Sequence, residues 1–353
     1  MLTNMEILAK SIVDDGQLEA RKSLGVKGIE LLLLEKDFDD IDKTKEKLVE
    51  IARQWEVVAL EAPNGITKYP MNPFSADSGV RLSSRNFLSQ YADLANSVNV
   101  ITKNIAYAQF QYIFDEFNDE GRSPEVHRGE QLGMIKEHFE GLQKSSKVNL
   151  QVENTTPISQ AYGRGTLSHC HTAIRPSDFA QIGVPMALDV IHLSQTCYTW
   201  LQAETENDNL FKVNILGVPK YKGKFYLQMT DEDLETVARI KKNVEIMNIK
   251  DAITTELIRT IRIYSKMVTK NYGPLIGSLQ FANAEVGFGV LPGEDGIETS
   301  EGMIDVRRLF SEAIIPAGIS YVTPEYHEKS WLVPINQQNA ITLVRSLLPR
   351  SVE

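Results

Sequence analysis

Hydrophobic positions fall into short, β-branched runs separated by longer segments whose apolar residues recur every three to four positions. The first run covers Met5–Val13. VKGIELLLL (Val26–Leu34), EVVALEAP (Glu56–Pro63), NVITKNIAYAQF (Asn99–Phe110) and KVNLQVENT (Lys147–Thr155) follow. VPMALDVIHL (Val184–Leu193), LIGSLQFANA (Leu275–Ala284) and GISYVTPEY (Gly318–Tyr326) complete the set. Each has the length of one buried strand. Between them, DIDKTKEKLVEIARQWE, SSRNFLSQYADLANS, RGEQLGMIKEHFEGLQKSS and VRRLFSEAIIPAG carry helical spacing and helix-forming residues. Strands alternating with helices predict a parallel sheet with crossover helices, and eight such units predict an α/β fold, a (β/α)8 TIM barrel. A doubly wound open sheet is the rival arrangement. Neither a GxGxxG turn nor a P-loop follows an early strand to support it.

Loop lengths point the same way. Helix-to-strand turns are short, as in SLGVKG, RQWEVV, QIGVP and PAGIS, and several use glycine where a helix must stop. Strand-to-helix connections are long: NGITKYPMNPFSADSGVRL, IFDEFNDEGRSPEV and TPISQAYGRGTLSHCHTAI follow the third, fourth and fifth strands. They leave the C-terminal ends of the strands, where barrel enzymes place their chemistry. About eighty residues separate His192 from Leu275. Residues 198–250 read as an insertion over that face, within one domain spanning 1–353. A hairpin over Asn209–Gln228 is expected first, then a helix capped by Thr230 or Asp231. A lid or an oligomer contact is the expected role.

Composition narrows the class. Of 353 residues, 42% are hydrophobic, enough for a large core. The net charge of -10 argues against a protein built to grip phosphate backbones, so nucleic acid is not the expected partner. Two cysteines, Cys170 and Cys197, suit reduced thiols rather than a disulfide scaffold or a thiolate zinc site. Acidic residues follow the N-terminus too soon for a signal peptide, and no apolar run approaches about 18–20 residues. The expectation is a cytoplasmic chain without a membrane span, acting on a small molecule, with a homo-oligomer as a further expectation.

The candidate chemistry sits at strand ends. Glu153, Asp189, His192, Gln280, Asn283 and Glu325 lie there, with Glu30 and Glu61 near the ends of the second and third strands. On a barrel these converge on one mouth. Carboxylates sharing a site need a cation or a proton between them. Glu153, Asp189 and Glu325 therefore suggest a divalent metal, and oxygen-rich ligation favours Mg²⁺ or Mn²⁺ over zinc. Each residue alone has a plainer reading. A single acid at a strand end is more often a loop cap, and His192 alone more often a hydrogen-bonded core histidine. His169 and His171 alternate in SHCH, a weak chelate pattern. Trp200 serves equally as a sugar-facing ring or as packing. Convergence on one face favours the functional reading.

These segments resemble the xylose isomerase-like barrel superfamily of sugar epimerases, inosose dehydratases and the endonuclease IV group. GVKGIELLL is similar to its second strand, and LQVENT to the fifth-strand segment whose glutamate binds metal, here Glu153. LDVIH matches an Asp-x-x-His element, with Asp189 on metal and His192 facing substrate or a second metal. SEGMIDVRRLF (Ser300–Phe310) is similar to the segment opening the last barrel helix, and YVTPEYH to the final strand with its metal-binding Glu325. The seventh strand departs from the pattern. Its QFAN places Gln280 where the family has histidine and Asn283 where it has aspartate. The third and fourth strands lack the histidines of the endonuclease group, so a three-metal phosphodiesterase site does not fit. The resemblance implies one metal held by Glu153, Asp189 and Glu325 with an amide oxygen from Gln280. Glu153, Glu325 and His192 would be catalytic. Glu30, Asn64, His169, His171, Asn283 and Trp200 would contact substrate. The implied reaction is isomerisation or epimerisation by proton abstraction next to a carbonyl, through an enediolate. A lyase or dehydratase on the same scaffold is one alternative. A catalytically silent barrel acting in binding or assembly is another.

Overall fold

A computed structural model describes residues 5–63, 71–112, 124–155, 175–201, 204–207, 210–214, 224–228, 230–281, 304–325 and 330–348. Eight parallel strands close into a barrel: β1 (Glu6–Ile12), β2 (Gly28–Leu32), β3 (Val57–Glu61), β4 (Ile105–Phe110), β5 (Leu150–Glu153), β6 (Met186–Asp189), β12 (Ile276–Phe281) and β13 (Tyr321–Pro324). They pair in chain order, and β13 closes the ring against β1, with Glu6 opposite Tyr321 and Ile7 opposite Val322. The helices expected between strands are α1 (Asp15–Lys22), α2 (Ile41–Ala52), α3 (Ser78–Thr102), α4 (Pro124–Ser145) and α5 (Pro176–Ile182). α6 (Val190–Leu201), α7 (Asp231–Val244) and α8 (Ile249–Tyr264) follow. Near the end, α9 (Val306–Leu309) runs through a π-helical turn into α10 (Ile315–Ala317), and α11 (Ile335–Leu347) comes last. Between barrel and helices lies one continuous apolar core, to which Ile29, Leu31, Leu60, Phe139, Leu188, Phe310 and Ile341 belong.

One predicted boundary moves, and one falls at the acid that stands at a strand end. NVIT, expected at the head of the fourth strand, completes α3 instead, because Val98 and its helical neighbours bury one face. The chain turns at Lys103, whose φ of 60° is left-handed, and the Asn104 amide holds the carbonyls of Ala52 and Trp55. VPMALDVIHL is strand only to Asp189, and α6 begins at Val190.

The long connection after β6 holds three antiparallel strands where two were expected: β7 (Glu204–Asn207), β8 (Leu210–Asn214) and β9 (Lys224–Gln228). α7 follows, N-capped by Thr230, whose side chain accepts the N–H of Asp233. A short pair, β10 (Val268–Thr269) and β11 (Gly273–Pro274), leads into β12. Among the described residues no helix is long and apolar enough to cross a membrane.

Close approach explains two glycines in the barrel wall. A Cβ at Gly28 would overlap the Leu8 side chain, and one at Gly277 would overlap the Gln151 amide. Both keep strand contacts that any larger residue would push apart.

Candidate active site

Side chains at alternate strand positions face the barrel interior. Leu8, Ala59 and Tyr107 form its apolar floor, with Tyr321 against them. Two residues further along each strand the interior turns polar. Lys10 follows Leu8, Glu61 follows Ala59, Gln109 follows Tyr107, and Thr323 follows Tyr321. Glu30 and Gln280 join them from β2 and β12. The switch from apolar to polar at one level puts the chemistry in a single layer.

Lys10 organises one half of that layer. Its Nζ donates to Glu30 Oε1 at 2.8 Å and to Glu61 Oε2, and lies 3.3 Å from Glu325 Oε2. Burial alone pulls the lysine down, but the three carboxylates outweigh it and hold its pKa above the usual value. Glu30 is 0% exposed and accepts from four donors: Lys10 and Gln280 on Oε1, Tyr107 and Thr323 on Oε2. Burial raises its carboxyl, yet Lys10 and these hydrogen bonds bring it below the usual range. Glu30, expected to touch substrate, is instead a saturated anchor with no acceptor to spare. Glu61 accepts through Oε2 from Lys10, Gln109 at 3.0 Å and Gln280 at 2.8 Å. Burial, with Glu325 and Glu30 adding repulsion against the pull of Lys10, pushes it up to about 8.

Gln280 was expected to lend an amide oxygen to a metal. Its Nε2 is committed to Glu30 and Glu61, while Oε1 is buried without a hydrogen-bond partner among the described residues. The amide nitrogen is what this position contributes to the network: a donor between two carboxylates.

The other half belongs to Glu153, Asp189 and His192. Glu153 ends β5 and accepts from Gln111 Nε2 at 2.8 Å through Oε1. Its Oε2 is buried with no hydrogen-bond partner among the described residues. Burial first, then the charges of Glu61, Asp189 and Glu325, drive this carboxyl well above its usual range. Asp189 Oδ1 accepts the N–H groups of Ile191 at 2.7 Å and His192 at 3.3 Å. One carboxylate thus ends β6 and caps the first turn of α6, which is why the strand stops there. Asn154 carries the contact between β5 and β6 past the strand ends. Its Oδ1 accepts from Asp189 N at 2.7 Å and its Nδ2 donates to Asp189 O at 3.0 Å.

His192 sits on that first helical turn, so an acid and an imidazole three residues apart share one face. Its Nδ1 is 2.8 Å from the Asn154 carbonyl, 3.2 Å from Asp189 Oδ2 and 3.4 Å from Glu153 Oε1. Facing a carbonyl, which only accepts, Nδ1 carries the hydrogen. Glu153, Asp189 and His192 each offer a ligand atom, and these lie within 4.8 Å of one another. With the orphaned Glu153 oxygen, the donor set fits a divalent cation bound by oxygen and imidazole. Glu325 follows β13, two strands from β6 in the ring, its side chain 35% exposed.

Trp200, expected against substrate, is 3% exposed near the end of α6, with the Arg175 guanidinium 5.2 Å from its ring centroid. It packs between helices rather than beside the acids. Asn64, His169, His171 and Asn283 lie outside the described residues. The residue missed in the sequence is Lys10. Its signal was a charge at an interior position of an apolar strand, EILAKSI.

No family model matches the sequence, and no curated protein matches it. Solved structures match its architecture over nearly the whole chain. A D-tagatose 3-epimerase-like protein covers 97% of this chain and 98% of its own, at 10% identity and a TM-score of 0.55. The IOLI protein with a binding zinc atom covers 97% and 96%, at 11% identity and 0.53. A xylose isomerase domain protein from Planctomyces limnophilus covers 98% and 97%, at 10% identity and 0.51. The likeness to these three structures is one of fold, a closed parallel barrel. In this barrel the acids Glu153, Asp189 and Glu325 end or follow β5, β6 and β13, and Lys10 lies 3.3 Å from Glu325.

Proposed function

We propose that the chain is a metal-dependent isomerase or epimerase of a sugar or a related small polar molecule. The observation that carries the reading is the set Glu153, Asp189 and His192, three ligand atoms within 4.8 Å of one another, with the partly exposed carboxylate of Glu325 following β13. Structural neighbours named as an epimerase-like protein and a xylose isomerase domain protein support the reaction class. A divalent cation held by Glu153 and Asp189, Mn²⁺ or Mg²⁺ by its oxygen ligands, would supply positive charge beside the substrate's carbonyl oxygen.

The chain's own residues do the rest. Glu325 reaches solvent and so can meet a substrate carbon, taking the proton next to the carbonyl as general base. Glu153 faces the same opening from β5 and can return a proton from the other side, which turns isomerisation into epimerisation. His192 stands beside both acids, its Nδ1 3.2 Å from Asp189 Oδ2 and 3.4 Å from Glu153 Oε1, where the ring can serve the ion or a substrate hydroxyl.

Titration of the purified protein with Mn²⁺, with and without Glu153→Gln, tests the reading. Incubation with a panel of ketoses and aldoses and product analysis should follow. The expected result is a bound, activating ion that the variant loses, with interconversion of stereoisomers or of aldose and ketose. A protein that neither binds nor responds to any divalent ion would sink it. Loss of water from substrate, instead of isomerisation, would move it to the lyases.

A further inference from the structure

We propose that Lys10 is a built-in cation that takes Glu325 out of the metal's ligand set, and that His192 fills the place so left. The inference rests on the metal reading above and assigns its ligands.

Lys10 has three N–H donors and three carboxylate neighbours: Glu30 at 2.8 Å, Glu61, and Glu325 at 3.3 Å. It is held there from below. Its side chain is buried, and Glu30, its partner in register on β2, is fixed by Gln280, Tyr107 and Thr323. Glu325 Oε2 is turned to the ammonium at 3.3 Å, so an ion at Glu153 and Asp189 would compete with a buried lysine for this carboxylate. The distances agree. Glu153, Asp189 and His192 bring ligand atoms within 4.8 Å of one another, and no Glu325 oxygen joins that group. Glu153 supplies the independent sign of a missing ligand. Its side chain is 3% exposed, yet Oε2 has no hydrogen-bond partner among the described residues.

The acid layer is thus divided. Glu30, Glu61 and Glu325 have their cation in the chain itself, and Glu153 and Asp189 take theirs from solution. His192 would enter the ligand set as the other neutral tautomer, its hydrogen moved from Nδ1 to Nε2 and the Nδ1 contact with the Asn154 carbonyl given up to the ion. Three protein ligands leave positions open for substrate oxygens, as catalytic metal sites require. Glu325, paired with Lys10 instead of the ion, stays available as the base at the mouth. Lys10 is a positioning residue acting through Glu325.

Mn²⁺ binding, followed by the electron paramagnetic resonance of the free ion, separates this from a four-carboxylate site. Glu325→Gln should leave Mn²⁺ affinity within about twofold, as for a residue with no part in binding. His192→Gln and Glu153→Gln should each weaken it at least about tenfold. In a Lys10→Ala/Glu61→Gln background, which removes one charge of each sign, Glu325 is released. There, adding Glu325→Gln should cost at least about tenfold, a coupling absent from the natural chain. Should that background fail to fold, the comparison of Glu325→Gln with His192→Gln decides alone. Loss of binding in Glu325→Gln with His192→Gln unaffected overturns this inference and leaves the metal reading intact. A natural chain that binds no Mn²⁺ overturns both.

Discussion

His138 packs among Phe74 and Tyr112, with Nδ1 2.8 Å from the Tyr112 hydroxyl. Burial, then the nearby Arg85 charge, brings its pKa down to about 4 from an ordinary 6.5. A histidine harder to protonate folded than unfolded leaves stability whole above the unfolded value. That stability is then lost as pH falls through the folded one. Between pH 6.5 and 4 the loss from this group is expected to be about 2–3 kcal/mol. Urea unfolding of the natural chain and of His138→Leu across that range measures it. Parallel pH profiles for the two would contradict the assignment. Residue type alone was a weaker guide. Glu30 and Glu61 are both glutamates near strand ends, and nothing in their local sequence separates an anchor from a reactive acid. Their difference comes from who donates to them: four bonds fill Glu30, while Glu61 shares one oxygen among three donors.

At the scale of elements, one contact ties the long connection to the barrel. Arg175, just before α5, donates through Nε and Nη2 to Asp233 at the start of α7, and covers Trp200 of α6. Asp233 also accepts from Thr230 N at 2.8 Å, so one buried carboxylate caps α7 and docks it. Arg175→Ala should cost about 3–5 kcal/mol, since it strands a buried Asp233. Arg175→Lys should recover little, lacking the two-pronged donor. Denaturant unfolding of both variants checks this, and near-complete rescue by lysine would show that charge alone suffices. The barrel strands and most helices were legible as runs and periods because each buries one continuous face. The head of β4 was not, while the end of β6 at Asp189 followed from an acid and an imidazole three apart, which one regular strand cannot turn to the same face. At β4 the deciding feature was the left-handed turn at Lys103, which a hydrophobicity pattern does not carry; at β6 the structure adds the capping of α6 by Asp189.

At the scale of the whole molecule, an ion that binds the folded chain alone also stabilises it. Mn²⁺ at about a hundred times its dissociation constant should add about 2.7 kcal/mol. The thermal midpoint should therefore rise with Mn²⁺ in the natural chain and stay flat in Glu153→Gln. An equal rise in both would place the binding elsewhere. The barrel and the face of its chemistry could be read from eight alternations and three long loops. The layer inside could not. Lys10 meets Glu30 across 20 positions of sequence and Glu61 across 51, and Gln280 reaches Glu30 across 250. Only closure of the ring makes those residues neighbours.

That closure has a bearing on how the sequence can drift. Lys10 and Glu325 lie at the seam where the first and last strands meet, and Glu30, Glu61 and Gln280 complete the circle. Replacing Lys10 or Glu30 alone strands buried partners, so such intermediates in a stepwise path are penalised. Descendants of this chain should keep the five together or exchange several at once, and a lineage that gives up the lysine should be found to have given up one of its acids as well.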